Sequence, residues 1–96
     1  MIKSFGDRAT EDIYHGRESK RARGTLPKEL WPIAVRRLDM LDAANDLRDL
    51  SAPGLRLEPL KGSLTGLWSI RINDQYRLVF QWERGDAYRV GITDYH

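Results

Sequence analysis

The chain predicts an α+β fold, with N-terminal helices packed on one face of a mostly antiparallel sheet. Two observations carry this. Apolar residues in the first half recur with a helical period, and from about residue 57 the period drops to two. Turn signals at Asn73-Asp74 and Arg84-Gly85-Asp86 then cut the alternating half into neighbouring strands. A length of 96 residues suits one domain spanning 1–96.

Ile2 to Phe5 reads as a short first strand, broken by Gly6-Asp7. Asp7 is placed to cap a short helix through about Tyr14, with Ala9, Asp12 and Ile13 on successive turns. The run from Gly16 to Gly24 has no apolar period and reads as a loop. Leu30, Ala34, Leu38 and Leu41 then form one helical stripe. Pro32 interrupts it: either the regular helix begins there, or a first turn kinks there. Residues 43–50 read as a continuation or a short extra turn, stopped by Ser51-Ala52-Pro53-Gly54. Leu57 to Lys61 is a candidate strand, and residues 62–66 a loop. Trp68, Ile70 and Ile72 alternate with Ser69, Arg71 and Asn73. Tyr76, Leu78, Phe80 and Trp82 alternate with Arg77, Val79 and Gln81, and Tyr88, Val90 and Ile92 with Arg89, Gly91 and Thr93.

Composition narrows the function classes. With 41% apolar and 31% charged residues, the chain can build one modest core and is not disordered. It has no cysteine, which excludes disulfides and thiolate metal sites. Its histidines are His15 and His96 alone, so neither a metal nor a cofactor is expected. No stretch approaches the roughly 20 apolar residues of a membrane span. Met1-Ile2-Lys3-Ser4-Phe5 lacks the apolar run of a signal peptide, so a cytoplasmic protein with no membrane partner is expected. The net charge of +2 is unevenly spread. Arg17, Lys20, Arg21 and Arg23 form one basic stretch, and Arg56, Lys61, Arg71 and Arg77 another. Asp39, Asp42, Asp46 and Asp49 make residues 39–50 acidic and suited to a protein partner.

Strand parity gathers the basic residues. If Tyr76, Leu78 and Phe80 face the helices, Arg77 points to the open face. If Tyr88, Val90 and Ile92 do so, Tyr95 has open-face parity, and Arg71, Arg77, Arg89 and Tyr95 share a surface. Lys61, at the end of a neighbouring strand, is placed to join them. Cations beside an aromatic suit RNA, through phosphate contacts and base stacking. An ordinary solvated sheet face has the same composition. The final Asp94-Tyr95-His96 offers an acid, a phenol and an imidazole for proton transfer near neutral pH; as a bare tripeptide it also fits a frayed tail.

Four segments together resemble a known family. They are Leu57-Glu58-Pro59-Leu60-Lys61-Gly62, Gly66-Leu67-Trp68-Ser69-Ile70-Arg71-Ile72-Asn73-Asp74-Gln75-Tyr76-Arg77-Leu78, Gly85-Asp86-Ala87-Tyr88 and Asp94-Tyr95-His96. Across almost the whole chain the sequence resembles the HigB toxins of the RelE/ParE superfamily. The resemblance implies a RelE-like fold and the toxin of a type II toxin–antitoxin pair. Such toxins bind in the ribosomal A site and cut mRNA. Their partner is a HigA-like helix-turn-helix antitoxin, through which alone operator DNA is engaged. The resemblance assigns the scissile phosphate to Arg77, the C-terminal active-site cluster to Asp94, Tyr95 and His96, and a basic contact near RNA to Lys61. Some members carry a catalytic histidine where this chain has Glu58, which leaves Glu58 a candidate acid or base.

The implied reaction is attack of a 2′-OH on the adjacent phosphate, leaving a 2′,3′-cyclic phosphate and a 5′-OH without a metal. The protein must take one proton, give another and stabilise added negative charge. Arg77, helped by Lys61, fits the last task; His96 and Asp94 fit the proton transfers; Tyr95 fits stacking on or orienting a nucleobase. Two rivals stand beside it: a ParE-like toxin that inhibits gyrase on the same scaffold, and a non-catalytic binding module.

Overall fold

The computed structural model describes residues 1–94. Asp7 caps the first helix as expected: its Oδ1 accepts from the Thr10 amide at 2.7 Å, and α1 runs Arg8–Tyr14. Thr10 and Ile13 are buried on its inner side.

The segment expected as a loop contains a second helix, α2, at Lys20–Thr25. Its only buried residue is Ala22, so no apolar period could announce it. It is held by polar contacts instead. Ser19 Oγ accepts from the Ala22 amide at 3.1 Å and donates to Asp12 Oδ2 at 2.6 Å. Arg21 Nε donates to the same carboxylate at 2.7 Å, and Arg17 Nη1 to its other oxygen at 3.4 Å. Asp12 is 1% exposed. The basic stretch is therefore wrapped around one buried acid, whose carboxyl is lowered to about 2, first by the Arg21 hydrogen bond.

Helix α3 spans Trp31–Ala43 after a 3₁₀ turn at Lys28–Leu30. Pro32 falls in the first turn, where its missing N–H costs no intrahelical bond, so the helix does not kink around it. Trp31 joins Ala34, Leu38 and Leu41 on the buried stripe, in place of the partly buried Leu30. Its indole N–H donates to the Leu26 carbonyl at 2.9 Å. Residues 47–50 form a separate 3₁₀ turn, with Asp46 and Asp49 in a capping box. Asp42 accepts from the Ile2 amide at 2.8 Å. The acidic segment thus spends three of its carboxylates holding backbone.

The sheet has four antiparallel strands in the order β1-β2-β3-β4: Glu58–Pro59, Leu67–Arg71, Tyr76–Glu83 and Asp86–Asp94. β1 is shorter than the expected 57–61, because Lys61 already leads into a 3₁₀ turn at Gly62–Leu64. Asn73 Oδ1 accepts from the amides of Gln75 and Tyr76, at 2.9 and 2.8 Å, and closes the β2–β3 turn. Arg84 and Gly85 have φ of 50° and 84°, the positive pair that a tight two-residue hairpin requires.

Alternation holds along β3 but breaks in β4. Val79 pairs with Gly91 and Gln81 with Tyr88, so Arg89 and Val90 together oppose Phe80. This is a β-bulge, with Arg89 at φ 55°. The bulge reverses the expected parity of Tyr88, which takes the side of Gln81, while Ala87 and Val90 are buried. The first residues do not form a full strand. They run parallel to β4 through bridges at Ile2–Ala87 and Phe5–Val90, covering its outer edge. Farther along, Thr10 Oγ1 accepts from the Ile92 amide at 3.0 Å and ties α1 to the same edge.

The core lies between the helices and one sheet face. Ile13, Leu38 and Leu41 meet Ile70, Leu78, Phe80 and Val90, all at 0% exposure. No helix among the described residues is long and apolar enough to cross a membrane.

Because the folded carboxyl of Asp12 titrates below its unfolded value, its stabilisation is whole above about pH 4 and is lost as pH falls toward 2. Asp12→Asn is therefore expected to be less stable than the parent at neutral pH, with the gap closing between pH 4 and 2. Urea unfolding of both proteins across that range measures it; a gap that does not change with pH would remove the assignment.

Candidate functional site

The face away from the helices is built by register. Glu58 pairs with Ser69, Ser69 with Val79, Arg71 with Arg77, and Arg77 with Thr93. Directly opposed side chains share a face, so Glu58, Ser69, Arg71 and Arg77 lie together.

Arg77 does not stand out into solvent. It lies across β2 with its side chain 11% exposed. Nε donates to Ser69 Oγ at 2.9 Å and Nη2 to the Arg56 carbonyl at 2.5 Å. Nη1 sits 3.3 Å from Glu58 Oε1. Ser69, at 0% exposure, is buried on the nominally open face because this guanidinium covers it. The Arg56 carbonyl is aimed by a left-handed backbone, φ 46°, that ends the 3₁₀ turn Pro53–Leu55. A cation so fixed, in a partly dry setting, is a ready oxyanion contact. The adjacent Glu58 can accept a proton.

Arg71 and Arg77 face each other across the ladder, a repulsive pairing by itself. Each is drawn to its own acceptors. Arg71 Nη2 bonds Asp74 Oδ1 and holds that carboxyl below the usual carboxylate range. Arg71 also lends its carbonyl to Arg37 Nε at 3.0 Å. Lys61 is exposed at the start of the turn after β1.

Of the expected site residues, the fold brings Glu58, Arg71 and Arg77 together. Asp94 is exposed at the end of β4, opposite Tyr76, and accepts from Gln75 Nε2 at 3.1 Å. Arg89 is set apart: it sits in the bulge opposite Phe80, its amide donating to Ser4 Oγ at 2.9 Å, and Thr93 is the β4 neighbour of Arg77. Tyr95 and His96 lie outside the described residues. Ser69, Gln75 and the Arg56 carbonyl were not foreseen. Ser69 carried a faint signal, a small polar residue between Trp68 and Ile70. The carbonyl carried none, since its direction depends on a backbone angle. Among the described residues, no group of three or more His, Cys, Asp or Glu side chains is arranged to hold a metal ion.

Comparison with known proteins converges on one group. The model of a family described as "RelE-like toxin of type II toxin-antitoxin system HigB" matches residues 3–96. Toxin HigB-1 of Vibrio cholerae is 43% identical over 88 residues, covering 91% of this chain and 90% of that protein. Endoribonuclease HigB of Proteus vulgaris is 32% identical over 96 residues, with full coverage of both. Among solved structures, the YoeB-YefM complex from Staphylococcus aureus has a chain that superposes with a TM-score of 0.62 at 23% identity, covering 100% of this chain and 98% of that one. A YoeB/ParE toxin from Agrobacterium tumefaciens gives 0.58 at 18% identity, covering 99% and 100%. At these identities the structures speak for the fold.

Ser69→Ala removes a buried acceptor from a charged donor. It is expected to lower stability by about 1–3 kcal/mol. Chemical denaturation tests this, and an unchanged midpoint would mean that the contact contributes nothing.

Proposed function

The chain belongs to the RelE-like HigB toxins of type II toxin–antitoxin systems, and on that premise we propose that it is an endoribonuclease that cuts mRNA in the ribosomal A site. The observation that carries the reading is the anchoring of Arg77 by Ser69 and the Arg56 carbonyl, with Glu58 alongside. A guanidinium held this way does not have to reorganise as charge builds on a phosphate. The relative from Proteus vulgaris, named an endoribonuclease, supports the same direction.

In the proposed reaction an RNA 2′-OH attacks the adjacent phosphate. Arg77 stabilises the phosphorane, and Lys61 strengthens the local positive field. Glu58, Asp94 and His96 are the candidates to take the 2′-OH proton and return one to the departing 5′ oxygen. Tyr95 orients a base. No step calls on a metal. The set of acid–base groups is small, which fits a reaction in which the ribosome positions the RNA. The partner that silences the toxin is proposed to be a HigA-like helix-turn-helix protein, which also carries the pair to operator DNA.

The discriminating experiment adds the purified protein to translating ribosomes and maps breaks by primer extension. Breaks inside coding sequence at A-site codons are expected, with naked transcripts cut far more slowly. Supercoiling defects with intact mRNA would favour gyrase inhibition instead.

Arg77→Ala is expected to reduce cleavage by about 10²–10³. Since Arg77 also bridges β3 to Ser69 and Arg56, folding of the variant must be checked by its unfolding midpoint. Near-normal cleavage by folded Arg77→Ala would refute the role. Lys61→Ala is expected to act more mildly, by weakening RNA binding and flattening its salt dependence.

A further inference from the structure

Glu58 meets Arg77 at Nη1, a nitrogen that a phosphate oxygen could also use. Two nitrogens of the guanidinium are committed to fixed acceptors: Nε to a fully buried hydroxyl, and Nη2 to a main-chain carbonyl. Nη1 meets a carboxylate of a different kind. The Glu58 side chain is 51% exposed and belongs to a two-residue strand at the edge of the sheet. Exposed ion pairs are held weakly, because water competes for both partners and the side chain loses freedom.

We propose that Glu58 is a resident ligand of Arg77, filling the phosphate position until a phosphodiester displaces it. The inference rests on the reading of Arg77 as the phosphate-binding group. Carboxylate and phosphate present similar oxygen edges to a guanidinium. One can therefore replace the other while Ser69 and the Arg56 carbonyl keep Arg77 in place. The arrangement compensates a nearly buried cation when no substrate is bound. It also makes the site discriminate against weak anions, since any ligand must outcompete an anion already there.

The test measures binding of a short, non-cleavable 2′-O-methyl oligoribonucleotide by fluorescence anisotropy at one low ionic strength. Wild type, Glu58→Gln, Arg77→Ala and the double variant are compared. Glu83→Gln, which removes the same charge at the far end of β3, serves as reference. Glu58→Gln is expected to bind about two- to fivefold more tightly, the range of one exposed ion pair. The gain should exceed that of Glu83→Gln and should disappear in the Arg77→Ala background. A gain that survives loss of Arg77, or that merely equals the reference, would make the effect bulk charge and overturn the proposal. So would unchanged or weaker binding by Glu58→Gln while Arg77→Ala still weakens the parent; in that case the phosphate role of Arg77 stands alone. If Arg77→Ala leaves the parent's binding unchanged, both the phosphate role and the resident ligand fall.

Discussion

A four-stranded sheet with helices on one face must solve its other face with side chains alone. Here the solution is Arg77. Its guanidinium lies over Ser69, reaches the Arg56 carbonyl and meets Glu58, so one residue ties β3 to β2, to the edge strand and to the segment before it. A long side chain can do this because its guanidinium offers several donors in a fixed fork, each to a different acceptor. The group proposed to hold the phosphate is thus also the group that covers Ser69 on the open face. The two roles share one physical requirement, a guanidinium whose direction is set before any ligand arrives.

The rest of the molecule is organised around keeping that sheet intact. The outer edge of β4 is covered by the N-terminal segment and by Thr10 of α1, which removes the unpaired edge that would otherwise invite aggregation. The bulge at Arg89 and Val90 lets β4 turn while Val90 stays in the core. On the helical side, Asp12 gathers Arg17, Ser19 and Arg21 and so helps fix α2, within which Ala22 is the one buried residue. Buried apolar area sets the layers, and a few charged groups set the details.

Patterns repeated along the chain were legible in the sequence. The stripe Ala34, Leu38 and Leu41, the Asp7 cap, and the alternation of Tyr76, Leu78 and Phe80 each follow from one local rule, and each has its place in the fold. Where sequence and structure differ, the cause is shared. α2 has no apolar period because it is held in large part by a carboxylate on another helix. Tyr88 lies on the face opposite to the one its alternation predicts, because one inserted residue shifts parity and leaves no mark in the residue types. Asp42, Asp46 and Asp49, which the sequence presents as an acidic run, also cap and anchor backbone that is distant or irregular, and no local pattern announces that.

The site divides along the same line. Residue type and strand parity were enough to single out Arg71 and Arg77, and the motifs were enough to suggest the family, whose resemblance added Glu58. Those are one-dimensional facts, carried by periodicity and by motif resemblance. Sequence could not say that Arg77 lies flat, that Ser69 is buried beneath it, or that Arg89 sits in a bulge away from the Thr93 that neighbours Arg77. Each depends on a pairing register, a backbone angle or a bulge. Such features are settled when several strands pack at once, because each side chain then takes the nearest acceptor that the whole assembly leaves within reach.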